Sequence, residues 1–365
     1  MLKRFEVSGF KNFKDTVWLD FSDVRDYQFN TYCVSGNLIS KAIIYGRNAV
    51  GKSNFGLALF DIVSHLSSKN VTPNLYDYYL NVASPNDFAV FHYVFQFGES
   101  TLDYCYHKDE NQTLVYEKLV LDSEMLYEYN YREKRGSTEG IEEIAPTLNW
   151  AFQETDCILK YVINNTVLEE QHPLRRMMRF VNQMLWFRSL GENRYIGFKT
   201  KSSDYYDFIF EEAVLREFET FLEASGIEDG LTVKTNADGT KVLCFDTEPP
   251  LPFFGVASSG TRALYNFFYW YKTAKEVSLM FIDEFDAFYH FELAESIVSL
   301  LEKMPDTQII LTSHNTNLLS NKIMRPDCYF ILTKNKLTAL ANATTRELRE
   351  GHNLEKLYMS GEFNG

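Results

Sequence analysis

Residues 46–53 read Gly46-Arg47-Asn48-Ala49-Val50-Gly51-Lys52-Ser53, the pattern G-x-x-x-x-G-K-S. The flanks give the pattern its meaning. Lys41-Ala42-Ile43-Ile44-Tyr45 is a short, mostly apolar run that predicts a buried strand, and Asn54 to Leu66 carries apolar residues at helical spacing. Strand, glycine loop and helix are the setting of a phosphate-binding loop. Its glycines let backbone N–H groups close around phosphate oxygens, and the helix N-terminus adds its positive end. Lys52 is expected to reach the β- and γ-phosphates and the Ser53 hydroxyl to ligate Mg²⁺, with Arg47, Asn48, Ala49, Val50 and Asn54 completing the nucleotide cradle. A chance Gly-rich turn before a helix would not carry both flanks.

Three downstream segments narrow the chemistry. Ser278-Leu279-Met280-Phe281-Ile282-Asp283-Glu284 is an apolar run ending in two carboxylates, a Walker B pattern. Asp283 is expected to hold Mg²⁺ together with Ser53, and Glu284 to orient and deprotonate an attacking water. Gln308-Ile309-Ile310-Leu311-Thr312-Ser313-His314-Asn315 predicts a strand that delivers His314 to its carboxyl end, where open α/β sheets place their ligands. Ala257-Ser258-Ser259-Gly260-Thr261-Arg262 precedes an apolar helical run. Taken alone it reads as an N-cap; in the company of the other segments it reads as a second anion-contacting loop.

The bulk properties fit a folded globular protein. The hydrophobic share is 45% over 365 residues, enough for a large core and two or three lobes. The net charge of −14 does not indicate a nucleic-acid partner, which would need clustered Lys and Arg. The best basic cluster, Leu174-Arg175-Arg176-Met177-Met178-Arg179, reads as a solvated helix face. Five scattered cysteines without a C-x-x-C, no signal peptide and no apolar run of ~18 residues predict a cytoplasmic chain without a disulfide framework or membrane span.

Along the chain, two strands are predicted between Leu2 and Phe21. Phe88–Phe97, Thr101–His107, Thr113–Leu121 and Met125–Tyr131 predict an antiparallel meander, and 134–144 an exposed loop. Val167 to about Ser225 reads as helical, and Thr232–Phe245 as a hairpin around Asn236-Ala237-Asp238-Gly239. Helix and strand alternate after Pro249-Pro250. The predicted class is α/β: an ATPase lobe split into 1–68 and 250–340, a β-rich insertion at 70–165, a helical lid at 166–249 leading to the Ser258 loop, and a tail at 341–365.

Together, and in this order, the segments resemble the ABC-type ATPases of the SMC, RecF and OLD group. Ser258-Ser259-Gly260-Thr261 is similar to their signature loop, with Ser259 where transporters carry Gly, and His314 to their switch histidine. Asp286 falls in a D-loop-like Phe285-Asp286-Ala287. Gly9-Phe10-Lys11-Asn12-Phe13-Lys14 resembles the group's opening strand and implies that Asn12 and Lys14 help hold the nucleotide. Gln96 fits a Q-loop glutamine by position alone. Ile282-Asp283-Glu284-Phe285-Asp286-Ala287-Phe288-Tyr289-His290 and the tail from Arg349 through Asn353, Glu355, Lys356 and Tyr358 to Gly361 resemble the prokaryotic phage-defence subfamily of AbiL-like and PARIS AriA-like ATPases.

The resemblance implies a Mg²⁺-dependent ATP hydrolase whose signature loop caps the ATP of a second copy, so that two chains sandwich nucleotide head to tail. No long heptad pattern separates Ser53 from Ser258, and the stretch after His314 is too short for the Toprim nuclease of OLD proteins. An ATPase switch of a two-component defence system, acting on a separate effector nuclease or toxin encoded nearby, is the first expectation. A RecF-like repair ATPase that binds DNA is the second. A P-loop GTPase or kinase is disfavoured, since Lys334-Asn335-Lys336-Leu337 is no N-K-x-D element and this reading leaves the signature-like loop and His314 unexplained.

Overall fold

The computed structural model describes residues 1–67, 75–150, 157–189, 194–197, 205–273, 275–287 and 291–363. The stretch predicted from Lys41 is a strand, Lys41–Tyr45, buried along its whole length. It lies between Gln308–Ser313 and Tyr329–Leu332, parallel to both. The full order of this core sheet is Arg194–Gly197, Met184–Ser189, Leu279–Ile282, Gln308–Ser313, Lys41–Tyr45, Tyr329–Leu332 and Leu337–Ala339. Only the two edge strands run antiparallel to their neighbours. Continuous apolar runs such as Leu279-Met280-Phe281-Ile282 are what a parallel sheet covered on both faces requires.

A second sheet is wholly antiparallel, in the order Arg135–Ser137, Glu124–Asn130, Leu114–Leu121, Ser100–Lys108, Ala89–Phe97, Leu2–Ser8 and Val17–Asp20. Its strands alternate buried and half-exposed positions, as in Ala89–Phe97. The meander was legible; its partner was not. The strands before the phosphate-binding loop join this sheet, so 70–165 continues a layer that begins at Leu2 instead of forming a separate insertion. The buried Gln308 amide links the two sheets: it accepts from Leu2 N at 2.9 Å and donates to Leu2 O at 2.8 Å.

The helix after the loop lies between these layers. Phe55 packs edge-on against Phe5, with ring centroids 5.4 Å apart. On the other side Gly56 faces Phe281, whose ring would stand 2.8 Å from any Cβ placed there. The predicted single helix over Asn54 to Leu66 is two, Lys52–Leu59 and Asp61–Ser67. The Tyr93 hydroxyl donates to Ala58 O at 3.0 Å and Leu59 O at 3.2 Å, satisfying carbonyls that a continuous helix would have bonded internally.

Two further expectations need correction. Met184–Ser189 and Arg194–Gly197 are core-sheet strands within the stretch read as helical, because Met184-Leu185-Trp186-Phe187 is too short an apolar run for periodicity to distinguish strand from helix. The expected loop at 134–144 contains the strand Arg135–Ser137 and the helix Glu139–Ile144, anchored by buried Ile141. The basic cluster lies on the helix Pro173–Asn182, where Arg175 and Arg179 both pair with Glu170, so it is a solvated face. The hairpin is Leu231–Thr235 with Lys241–Phe245, as predicted. All five cysteines are free. No helix among the described residues is long and apolar enough to cross a membrane.

Candidate functional site

The loop from Gly46 to Gly51 leaves the carboxyl end of Lys41–Tyr45 and enters the helix at Lys52. Ala49 and Gly51 take positive φ, 63° and 107°. At Gly51 a side chain is excluded twice over, by that φ and by Asn12, whose Oδ1 would lie 2.6 Å from a Cβ. Asn12 is bonded to the loop itself: its Nδ2 donates to Val50 O at 2.8 Å, and its Oδ1 accepts from Asn54 Nδ2 at 2.7 Å. Asn12 thus braces the loop's shape. Arg47, Asn48, Ala49 and Ser53 are exposed, Val50 and Asn54 half-buried.

Lys52 Nζ donates to Gly46 O at 3.0 Å and lies 2.7 Å from His314 Nε2. With the ammonium as donor, Nε2 is the acceptor. The same Nε2 stands 3.5 Å from Glu284 Oε1. Burial lowers the Lys52 pKa, and the carboxylates of Glu284, Asp283 and Asp286 oppose that fall. The histidine predicted at a strand end therefore lies between the loop lysine and the second Walker B carboxylate, and the nitrogen that accepts from Lys52 can donate to Glu284 only after it gains a proton and gives up that bond.

Asp283 is buried at the end of Leu279–Ile282. Burial raises its pKa, against hydrogen bonds from Ser53 and Thr312 that favour the carboxylate. The Thr312 hydroxyl donates to Asp283 Oδ1 at 2.7 Å and accepts from Glu284 N at 2.8 Å. One hydroxyl thus holds the Asp283 carboxylate and the Glu284 backbone. Glu284 takes φ 45°, a left-handed conformation unusual for a glutamate. Asp286 accepts from Ser313 Oγ at 2.7 Å. Burial raises its pKa too, while that bond and His314 pull it back. Neither Thr312 nor Ser313 was assigned a role from sequence. Two hydroxyls ending an apolar strand were the available signal; which carboxylates they meet depends on sheet order.

The donor set fits Mg²⁺ with a polyphosphate. Ser53 offers a hydroxyl beside the Asp283 carboxylate, an oxygen-only pair suited to a hard cation. The loop adds an ammonium and backbone N–H groups. Asn12, Gly46–Asn54, Asp283, Glu284, Asp286 and His314 belong to one constellation. Lys14 does not join it. It is exposed in the turn after Phe13, and its carbonyl accepts from Gly9 N at 3.4 Å. Gln96 bonds Gly98 O at 2.6 Å and Thr101 at 2.9 Å, at the Met1 end of Leu2–Ser8 and away from Asn12.

Ser258 caps the helix Ser259–Thr273: its Oγ accepts from Thr261 N at 3.1 Å and meets Thr261 Oγ1 at 2.8 Å. Ser258 and Ser259 are exposed, Gly260 and Thr261 half-buried. No hydrogen bond among the described residues joins this segment to the chain's own phosphate-binding loop. His290 of the carboxylate stretch lies outside the described residues. In the tail, Asn353 caps Leu354–Met359, and Glu355 accepts from Thr316, two residues beyond His314, at 3.1 Å.

Residues 41–320 match the family model described as "AAA domain, putative AbiEii toxin, Type IV TA system". No curated protein matches the chain. Among solved structures, the SMC head domain from Thermotoga maritima is similar at 14% identity and TM-score 0.45, over 93% of this chain and 98% of that one. A head domain from Pyrococcus furiosus, solved with an extended coiled coil and the C-terminal domain of ScpA, is similar at 13% identity and TM-score 0.44, over 93% and 96%.

Proposed function

Since the chain belongs to the family of AAA domains described as putative AbiEii toxins of type IV toxin–antitoxin systems, a family of P-loop ATPases, we propose that it is a Mg²⁺-dependent ATP hydrolase that works as the switch of a two-component anti-phage defence system. The observation that carries the catalytic part is the contiguous line Lys52–His314–Glu284, with Asp283 and Ser53 beside it.

Loop N–H groups and Lys52 bind the β- and γ-phosphates. Ser53 and Asp283 would hold Mg²⁺, which neutralises charge on the phosphate oxygens. Glu284 accepts a proton from water as the water oxygen bonds to the γ-phosphorus and the bond to the β–γ bridging oxygen breaks, giving ADP and phosphate. His314, set between Lys52 and Glu284, hydrogen-bonds the γ-phosphate or that water. Thr312 keeps Glu284 aimed.

The Ser258–Thr261 segment, exposed at Ser258 and Ser259, is free to cap the γ-phosphate held by a second copy, in a head-to-tail pair that closes on ATP and opens after hydrolysis. The affinity of such a segment for the closed state is what lets nucleotide bias the equilibrium. A separate effector, a nuclease or toxin, would read that state.

The test is ATP turnover and sedimentation of the wild type and Glu284→Gln, with ATP, with ADP and without nucleotide. The reading expects hydrolysis by the wild type and an ATP-dependent larger species trapped by the variant. Wild-type turnover no higher than that of Lys52→Ala overturns the hydrolase; assembly indifferent to nucleotide overturns the sandwich.

A further inference from the structure

Tyr78 is 93% exposed, and its backbone takes φ 55°, a left-handed conformation that a bulky side chain enters only under constraint. A single exposed tyrosine is ordinary on a protein surface. The constraint on this one is not. Its neighbour Tyr79 is buried, with its hydroxyl on Asp61 at 3.0 Å and its ring edge-on to Phe10, 5.1 Å between centroids. The backbone on either side is laced to the turn at residues 9–14. Lys11 N donates to Tyr79 O at 2.9 Å, and Asn81 N to Gly9 O at 2.9 Å. Asn81 Nδ2 donates to Lys11 O at 2.6 Å, and Lys11 Nζ to Asp77 O at 2.7 Å. With Tyr79 pinned inward, Tyr78 is held outward on a bonded turn. Among the described residues its side chain has no hydrogen-bond or ring partner.

The turn at residues 9–14 is also the one that braces the phosphate-binding loop. Asn12, next to Lys11, bonds Val50 O and the Asn54 side chain. Lys52, His314 and Glu284 form the end that receives the terminal phosphate, and the N–H groups of the loop and helix start receive the phosphates nearer the ribose. The nucleoside therefore leaves the loop by a side other than that of His314. Among the described residues the 9–14 turn bonds Val50 and Asn54 and neither His314 nor Glu284, so it stands off the reacting end. It presents Tyr78 there, one residue from the carbonyl that Lys11 holds.

We propose that Tyr78 is the base platform of this site, its ring stacking on the purine of the nucleotide whose phosphates the loop holds. The proposal rests on the reading of the loop as a nucleotide site and deepens it to substrate choice. Stacking uses the face that every base has, so it selects for a large flat base and not for one pattern of donors and acceptors. ADP and GDP should bind alike, CDP less tightly, and pyrophosphate should gain nothing from the ring. Backbone strain that holds a ring in water before the ligand arrives is pre-organisation, the use to which such outliers are put at binding sites.

The experiment is calorimetric titration of the full chain, in Mg²⁺, with ADP, CDP and pyrophosphate, for the wild type, Tyr78→Ala, Tyr78→Phe and Lys52→Ala. Tyr78→Ala should weaken ADP by about five- to 150-fold, remove the preference for ADP over CDP, and leave pyrophosphate within about twofold. Tyr78→Phe should keep ADP within about threefold. In turnover, Tyr78→Ala should raise the KM for ATP and leave kcat within about twofold. The side chain is exposed, so folding is not at stake, and a thermal melt checks this. ADP affinity unchanged in Tyr78→Ala but lost in Lys52→Ala overturns the platform and leaves the loop. Equal losses of ADP and pyrophosphate in Tyr78→Ala also overturn it, since the substitution then acts through the brace on the loop. A wild type that binds neither ligand overturns the loop reading, and the platform with it.

Discussion

Thr312→Val is the most informative single substitution. Valine matches threonine in shape, so the buried position stays filled, but it neither donates to Asp283 nor accepts from Glu284 N. A hydrogen bond to a charged acceptor contributes about 1.5–3 kcal/mol, and leaving the Glu284 N–H unmet costs about 1–3 kcal/mol more. Part of the second amount returns. Glu284 holds its left-handed φ of 45° at a strain of about 1–3 kcal/mol, and release of its N–H lets it relax. With the released strain offsetting most of the unmet N–H, the expected stability loss is about 1.5–3 kcal/mol. The functional loss is larger in kind, because a relaxed Glu284 no longer points at the water. About 1.4–2.8 kcal/mol of lost alignment corresponds to a 10–100-fold fall in turnover. The assay is phosphate release at saturating Mg·ATP, paired with ATP affinity and a thermal melt. Affinity should stay within about threefold, since the loop is untouched, and Thr312→Ser should restore most of the rate. Asp283 also loses one of the two bonds that favour its charged form, so the acid limb of the rate profile should move to higher pH. A folded Thr312→Val protein turning over within about twofold of wild type would refute the reasoning.

Other expectations follow from the same contacts. Glu284→Asn places a residue tolerant of positive φ at the strained position; it should raise stability by about 1 kcal/mol in a thermal melt while abolishing turnover. Asn12→Ala removes the brace on Val50 O and should weaken ATP about three- to tenfold by calorimetry without unfolding the chain. His92 is half-buried between Asp103 and Glu6. Burial lowers its pKa, but the hydrogen bonds to both carboxylates prevail and raise it to about 9. A raised folded-state pKa contributes stability that is complete below the unfolded value of 6.5 and is lost as pH rises through about 9. Discounted for the partly exposed partners, this is about 1–2 kcal/mol, and His92→Gln should flatten denaturation midpoints across that window.

The centre of the site was legible because each of its parts is local. A glycine loop between strand and helix, an apolar run ending in Asp283-Glu284, and a histidine at a strand end are patterns within eight or so residues, and the sheet brings their ends together. What sequence could not supply depends on which strands are neighbours. Thr312 meets Asp283 only because their strands pair, and Leu2–Ser8 belongs with Ala89–Phe97 instead of with the loop that follows it. Lys14 stands apart for a related reason. It shares a motif with Asn12, but the turn that aims Asn12 at Val50 leaves Lys14 in solvent. Four apolar residues at Met184–Phe187 are equally good strand and helix, and pairing beside Leu279–Ile282 decides the matter.

The position of Lys41–Tyr45 in its sheet has a cost during synthesis. Both neighbours of this strand, Gln308–Ser313 and Tyr329–Leu332, are made long after it. At ribosomal rates of about 5–20 residues per second, a mostly apolar segment waits tens of seconds without an edge to join. Through that interval the nascent chain has a strand without a sheet and a glycine loop without Asp283 or His314. Nucleotide chemistry is thereby withheld until translation has passed the histidine, and the waiting strand is where ribosome-associated chaperones would have most to shield.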